Sequence, residues 1–349
     1  MGERVLLKGN EAASEAALIA GCTHYFAYPI TPQNEISAYM AKRMPKLNRT
    51  FLQAESEIAA CNMVYGAAAT GARAMTSSSS PGIALKQESF GYIAGAEVPA
   101  VVINMMRGGP GLGNISGSQG DYNMCVKGGS NGDFHNLVYA PATVQELADL
   151  TLKAFDVAEK YRILTLILGD GYLAQMSEPC VLPEPSGFKA EKPWALTGAE
   201  GRPAQIINSL RLADGVLEVH NRHLEEKYKA IEAAEVMFEN FHCDDADFVL
   251  VAYGTASRVC KAAVMNLRKQ GIKAGVFRPI TLWPFPSVAL AAAVAGKKQV
   301  LTVEMSLGQM VADVRLAVNG AVPVDFLGRP GGAVPMVDEV TERVLSYGR

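Results

Sequence analysis

Short runs that are apolar at nearly every position alternate along this chain with stretches of helical periodicity, and that alternation narrows the possible folds more than any other feature. Tyr25-Phe26-Ala27-Tyr28, Ala74-Met75-Thr76, Ala100 to Asn104 and Leu164 to Leu168 read as strands, the first broken by Pro29 and Pro32. Asn10 to Gly21, Gln53 to Thr70, Pro81 to Gly95 and Val144 to Tyr161 read as helices. Strands that are apolar on both faces need helices above and below, which predicts a parallel sheet inside an α/β sandwich. The helix from Val144 carries its own start signal, with Thr143 as N-cap and Glu146 as the capping-box partner. A second unit of the same kind begins at Phe248. Its strands are Phe248 to Ala252, Ala274 to Phe277 and Gln299 to Glu304, and its helices Ser257 to Gly271, Ser287 to Ala295 and Gly308 to Asn319.

Between the two units the character changes. Pro183, Pro185 and Pro193 mark an irregular connection, and Leu210 to Phe241 is charged and helical, with Glu225-Glu226-Lys227 expected on a solvated face. The expected division is 1–180, a linker with a helical segment over 181–246, and 247–349. With 49% hydrophobic residues among 349, there is apolar material for two cores. A net charge of -3 carries no basic bias toward nucleic acid. The chain opens without a secretory signal and holds no apolar run long enough to span a bilayer, so a cytoplasmic protein that avoids membranes is expected. The six cysteines are dispersed with no CxxC pair. Zinc and iron–sulfur sites need closely spaced thiolates, so these read as buried free thiols, with no metal held by this chain.

Four segments near predicted strand ends carry candidate chemistry. In Tyr28-Pro29-Ile30-Thr31-Pro32 two prolines stiffen the turn that presents Thr31, whose hydroxyl either meets a ligand or caps the next helix. In Ala54-Glu55-Ser56-Glu57, Glu57 opens a run of small residues that allows close packing. It is either a buried acid in need of a partner or, with Glu55, a surface acid in a first helical turn. The hydroxyls of Thr76 to Ser80, before Pro81-Gly82, suit a polar ligand at a helix N-terminus or serve as caps. Arg107 leaves an apolar strand and enters Gly108-Gly109-Pro110-Gly111-Leu112-Gly113. Its fork suits a carboxylate, or pairs with a neighbouring acid.

Together these segments resemble the α subunit of 2-oxoacid:ferredoxin oxidoreductases. The matching features are the YPITP turn (28–32), the ESE helix start (55–57), the SSPG turn (79–82) and the RGGPGLG loop (107–113), in that order. The resemblance implies a thiamine-diphosphate-binding fold. Its first domain would be of the pyrimidine-binding type, a parallel sheet with helices on both faces. The second would be a transketolase C-terminal-like α/β domain, marked by Val251-Ala252-Tyr253-Gly254-Thr255 and Phe277-Arg278-Pro279-Ile280.

By the same resemblance, Glu57 is the catalytic acid against the aminopyrimidine ring, favouring the imino tautomer that deprotonates the thiazolium carbon. Glu55 is its rival. Thr31 and Arg107 would bind substrate, and Tyr28, Pro29, Ile30, Ser79 and Ser80 would line the cofactor. Gly169-Asp170-Gly171 mimics the start of a diphosphate–magnesium motif but lacks the later asparagine around Lys192 to Glu200, so it is set aside. Mg2+ and iron–sulfur clusters would then sit on partner subunits. These would be a β subunit with the diphosphate domain, a γ subunit and a ferredoxin-like δ subunit.

The implied reaction is oxidative decarboxylation of a 2-oxoacid, branched-chain or 2-oxoglutarate, to acyl-coenzyme A with reduction of ferredoxin, a reaction of anaerobic metabolism. The loop from Arg107 to Asn114, with Gln119 and Asp121-Tyr122, looks nearer to the branched-chain group. Competing expectations are a lipoamide-linked dehydrogenase or transketolase-like subunit, and a non-catalytic assembly subunit.

Overall fold

The structure, a computed structural model, describes residues 3–348. The first half runs β1 (Arg4–Lys8), α1 (Gly9–Ile19), β2 (His24–Ala27), α2 (Asn34–Arg43), β3 (Thr50–Gln53), α3 (Glu57–Ala69), β4 (Ala74–Ser78), α4 (Ser80–Gly95), β5 (Ala100–Met106), α5 (Tyr122–Val126), β6 (Leu137–Tyr139), α6 (Val144–Tyr161), β7 (Leu164–Asp170), α7 (Gly171–Gln175) and β8 (Ser177–Val181). The rest is α8 (Val216–Ala234), β9 (Phe238–Phe241), β10 (Phe248–Val251), α9 (Gly254–Lys269), β11 (Ala274–Pro279), β12 (Thr281–Trp283), α10 (Ser287–Val294), β13 (Gln299–Glu304), α11 (Met310–Val318), β14 (Val324–Gly328) and α12 (Val337–Leu345).

Seven strands form the first sheet in the order β12-β6-β7-β5-β4-β2-β3, and five form the second in the order β14-β13-β10-β11-β9. Both are parallel except at one edge, where β12 pairs antiparallel with β6 and β9 with β11. Every residue of β4, β5 and β7 is buried, as strands covered on both faces must be. Each buried Val, Leu or Ile in these strands contributes about 1.5–3 kcal/mol of transfer free energy. All six cysteines are buried and unpaired.

Several local expectations are corrected. Gln53 ends a strand, β3, rather than starting a helix, and α3 begins only at Glu57. The helical stretch after Leu210 is shorter than periodicity suggests: α8 starts at Val216, and Phe238-Glu239-Asn240-Phe241 alternates with period two and joins the second sheet. Within the charged run Glu225-Glu226-Lys227, Lys227 turns inward and its Nζ donates to Glu97 at 2.9 Å. The capping box at α6 is half made. Thr143 Oγ1 accepts from the Glu146 N–H at 3.1 Å, but the Glu146 carboxylate goes to the Ala142 N–H and to the fork of Arg278. That bidentate pair, with β12 on the first sheet, ties the two halves together.

A second tie runs through Gln119. Its side chain donates to the Tyr253 carbonyl at 2.8 Å and accepts the Met305 N–H at 2.9 Å. A buried amide satisfied from two strand ends of the other sheet is a rigid connection.

Candidate active site

The carboxyl ends of β2, β4 and β5 converge on the first turn of α4, which is where open α/β sheets bind ligands. The chain enters this corner through α3. Ser56 is the N-cap of that helix, its Oγ accepting the Ala59 N–H at 3.2 Å. The cap sets the phase of the helix, so Glu55 stays outside, exposed, while Glu57 turns inward and is 8% exposed.

Gly82 of α4 is packed against that carboxyl: a Cβ there would lie 2.8 Å from Glu57 Oε1 and 2.1 Å from Ser78 Oγ. No other residue fits the position without displacing the acid. Among the described residues, no donor reaches the Glu57 carboxyl itself, although its backbone carbonyl accepts Lys86 Nζ at 3.0 Å. The hydroxyls of Thr76, Ser78 and Ser79 are likewise buried without partners. Ser79 occupies the N-cap position of α4 but its side chain caps nothing. Buried polar groups normally find partners inside the protein, so a cluster that does not has hydrogen-bonding capacity left for a ligand.

Lys86 is fully buried one turn further along α4. Burial pushes its ammonium down to about 8, against the opposing pull of Cys61 and Glu57. The Cys61 thiol beside it is pushed up to about 11, also by burial.

The other side of the corner is built on Arg107. Its backbone N–H donates to Ser80 Oγ at 3.0 Å, and Ser80 Oγ donates to Asp121 Oδ2 at 2.6 Å. Asn104 Nδ2 donates to the same carboxylate oxygen at 2.9 Å. Burial raises the Asp121 carboxyl, while the Ser80 and Asn104 hydrogen bonds and the Arg107 charge pull it down. The Arg107 guanidinium donates to the carbonyls of Thr31 and Leu112, each at 3.0 Å, and its Nε has no partner. Among the described residues no acid forms an ion pair with it, although its charge reaches Asp121.

Thr31 does not cap a helix. Gln33 is the N-cap residue of α2, and Thr31 Oγ1 instead accepts Asn34 Nδ2 at 3.1 Å. The turn is pinned through the Pro32 carbonyl by Asn10 and Gln175, and through Gln33 Oε1 by Ser77. Tyr28 and Pro29 are exposed and Ile30 is half-buried. Ser80 touches the Arg107 strand end and Gly82 touches Glu57, so one helical turn joins the two clusters.

Beside them lies a cavity of about 770 Å³, walled by α4, the glycine loop and the 306–309 and 330–331 turns of the second half. Leu85, Leu112, Met124 and Leu307 make it largely apolar, and Asp121 is its one charged wall residue. The loop needs glycine at Gly113, where φ is +55° and a Cβ would lie 1.7 Å from the Gly108 carbonyl oxygen. Asn114 Nδ2 donates to the Gly331 carbonyl at 2.6 Å and closes the loop onto the second half.

Residues 15–242 match the family described as pyruvate flavodoxin/ferredoxin oxidoreductase, thiamine diphosphate-binding, and residues 246–340 match pyruvate:ferredoxin oxidoreductase core domain II. Ketoisovalerate oxidoreductase subunit VorB of Methanothermobacter thermautotrophicus is 47% identical over 97% of this chain and 96% of its own length. The chain belongs to the 2-oxoacid:ferredoxin oxidoreductase family. A solved 2-oxoglutarate:ferredoxin oxidoreductase from Magnetococcus marinus superposes with a TM-score of 0.90 at 26% identity, covering all of this chain and 66% of that one. A split-gene transketolase shares the fold alone, with a TM-score of 0.61 and 14% identity, over 99% of this chain and 98% of that one.

An oxidoreductase subunit of this family works with thiamine diphosphate, and the corner fits that group. It offers a buried carboxyl with no internal donor, orphaned serine hydroxyls and a helix start without a side chain. Among the described residues no three His, Cys, Asp or Glu side chains are grouped to hold an ion. Asp170, the acid of the rejected motif, is committed to capping α7 through the Tyr172 and Leu173 N–H groups.

Asp121 entered the sequence reading only as part of the pattern after the glycine loop, with no role given to it, and Lys86 did not enter it at all. A signal for Lys86 was present: it falls on the buried face of α4 with Ile83, Phe90 and Ile93.

Proposed function

We propose that this chain is the α-type subunit of a 2-oxoacid:ferredoxin oxidoreductase that acts on branched-chain, aliphatic 2-oxoacids. The observation that carries the choice of substrate is the cavity beside the Arg107 loop. Its wall has aliphatic side chains, Ser80, Ser118, Ser306 and Gln309, one acid and no Lys, Arg or His. A second carboxylate, as 2-oxoglutarate carries, would enter it with no cation to pair with and face Asp121, whereas a branched alkyl group would bury apolar surface. The name of the VorB relative agrees with this.

In this reading Arg107 holds the substrate carboxylate with the fork it now offers to two carbonyls, and Thr31 fixes a substrate oxygen nearby. Glu57 hydrogen-bonds the ring nitrogen of the aminopyrimidine, while Tyr28, Pro29, Ile30, Ser79 and Ser80 line the cofactor. Bound thiamine diphosphate supplies the carbon nucleophile and the sink for the electrons left when carbon dioxide departs. The net reaction joins a 2-oxoacid, coenzyme A and two oxidised ferredoxins, and gives acyl-coenzyme A, carbon dioxide, a proton and two reduced ferredoxins. A β subunit would bring the diphosphate and magnesium site, and γ and ferredoxin-like δ subunits the remaining wiring, all in the cytoplasm. Residues 1–180 would form the pyrimidine domain, 181–246 the linker, which lends β9 to the second sheet, and 247–349 the second domain, which lends β12 to the first.

The test is an assay of the assembled complex with a panel of 2-oxoacids, coenzyme A and a low-potential acceptor. Branched-chain substrates should exceed 2-oxoglutarate in kcat/KM by roughly 10²-fold, the scale set by burying an unpaired polar group. Equal use of 2-oxoglutarate would remove the substrate assignment.

A further inference from the structure

α4 is an apolar helix with a lysine on its inner face. Lys86 is 0% exposed, and among the described residues its only hydrogen-bond acceptor is the Glu57 carbonyl at 3.0 Å. An ammonium has three donors to satisfy, and enclosing it with one partner destabilises the fold. A methionine at the same position would fill similar volume without that cost, so the burial of charge calls for another reason.

The geometry supplies one. Gly82 and Lys86 lie one turn apart on the same face of α4. Gly82 meets the Glu57 carboxyl, with a Cβ position 2.8 Å from Oε1, and Lys86 meets the Glu57 carbonyl. α4 therefore grips Glu57 at both its side chain and its backbone.

We propose that Lys86 is a positioning residue for Glu57, its ammonium holding the first turn of α3 so that the carboxyl stays against Gly82 and open to the crevice. This rests on the reading of Glu57 as the acid that meets the aminopyrimidine. The titratable groups that reach Lys86 are Glu57 and Cys61, both on α3. β5, which also packs against α4, carries none, the 128–131 turn over Gln87 and Gly91 carries none, and Asp170 of β7 is engaged at α7. Lys86 loses its proton near 8, within the range where it can be titrated in a folded complex.

The experiment uses the assembled complex with Lys86→Met, Lys86→Gln and Glu57→Gln. Two quantities are measured: the melting temperature without thiamine diphosphate, and hydrogen–deuterium exchange at the thiazolium carbon of the bound cofactor across pH. Lys86→Met should melt no lower than the wild type, yet exchange on the order of tenfold more slowly, as expected when the acid is no longer held in place. Lys86→Gln, which keeps a donor but no charge, should fall between them. The ratio of wild-type to Lys86→Met rates should decline as pH rises through about 8.

Wild-type exchange in both Lys86 variants overturns the proposal. So does slowing matched by lower melting temperature or failed assembly in both, which is what a merely structural lysine predicts. Glu57→Gln separates this from its premise: if that variant also exchanges normally, the reading of Glu57 has failed. If it alone is slow, only the role of Lys86 has.

Discussion

Each half of the molecule buries a glutamate at the carboxyl end of its sheet, and the two are treated in opposite ways. Glu304, at the end of β13, is fully buried. Its carboxylate accepts Ser306 Oγ at 2.9 Å, the Met310 N–H at 3.0 Å and the Val311 N–H at 2.9 Å, with the Gln309 N–H also at 3.0 Å. It closes the N-terminus of α11 and has no capacity left for anything else. Glu57, beside the end of β4, is nearly as buried, and its carboxyl takes no donor from the described residues. The serine hydroxyls around it are unsatisfied too. A carboxylate that the fold has fully satisfied is part of the scaffold. One left without partners keeps its acceptors open to a ligand.

Substitutions can break this contrast. The largest effect expected is at Glu57: Glu57→Gln should slow proton exchange at the thiazolium carbon by at least about 10²-fold, the usual scale for a general acid–base group, with little change in melting temperature. Glu304→Gln should do the reverse. Exchanging one acceptor oxygen for an amide among converging N–H groups costs about 2–3 kcal/mol, visible as a lower melting temperature with activity per folded complex retained. Arg107→Ala should raise KM for the 2-oxoacid by roughly tenfold or more, measured by initial rates, because a charge-assisted fork is lost.

A smaller effect sharpens the comparison through pH. The folded-state pKa of Lys86 lies near 8, below its ordinary 10.5, so the unfolded chain binds more protons between those values. The burial cost is therefore fully present below about 8 and disappears as pH rises toward 10.5. Lys86→Met should melt a few degrees above the wild type at pH 7, with the gap closing over that interval. Least of all, Glu55→Gln should change exchange by less than about twofold, since that acid faces solvent.

The central architecture was readable because parallel strands such as β5 and β7 are apolar at nearly every position and their helices are periodic. What was not readable depends on long-range pairing. β9 and β12 are short edge strands whose partners, β11 and β6, decide their state, and no local pattern names those partners. The site was partly legible. The resemblance picked Glu57 over Glu55, and the glycines after Arg107 announced a tight loop, but the Ser56 cap that turns one acid out and the other in was not read. The orphaned state of Ser78 and Ser79 was not legible, since a serine before a helix looks the same whether or not its hydroxyl caps. The same holds for the pairing of Asp121 with Ser80, 41 residues away.

A structure of the assembled complex with thiamine diphosphate bound tests the account most directly. It should place the Glu57 carboxyl within hydrogen-bond reach, about 2.6–3.2 Å, of the aminopyrimidine ring nitrogen, with Gly82 still packed behind it. A ring bound elsewhere, or a Glu57 carboxyl turned to solvent or satisfied by a partner side chain, would contradict it.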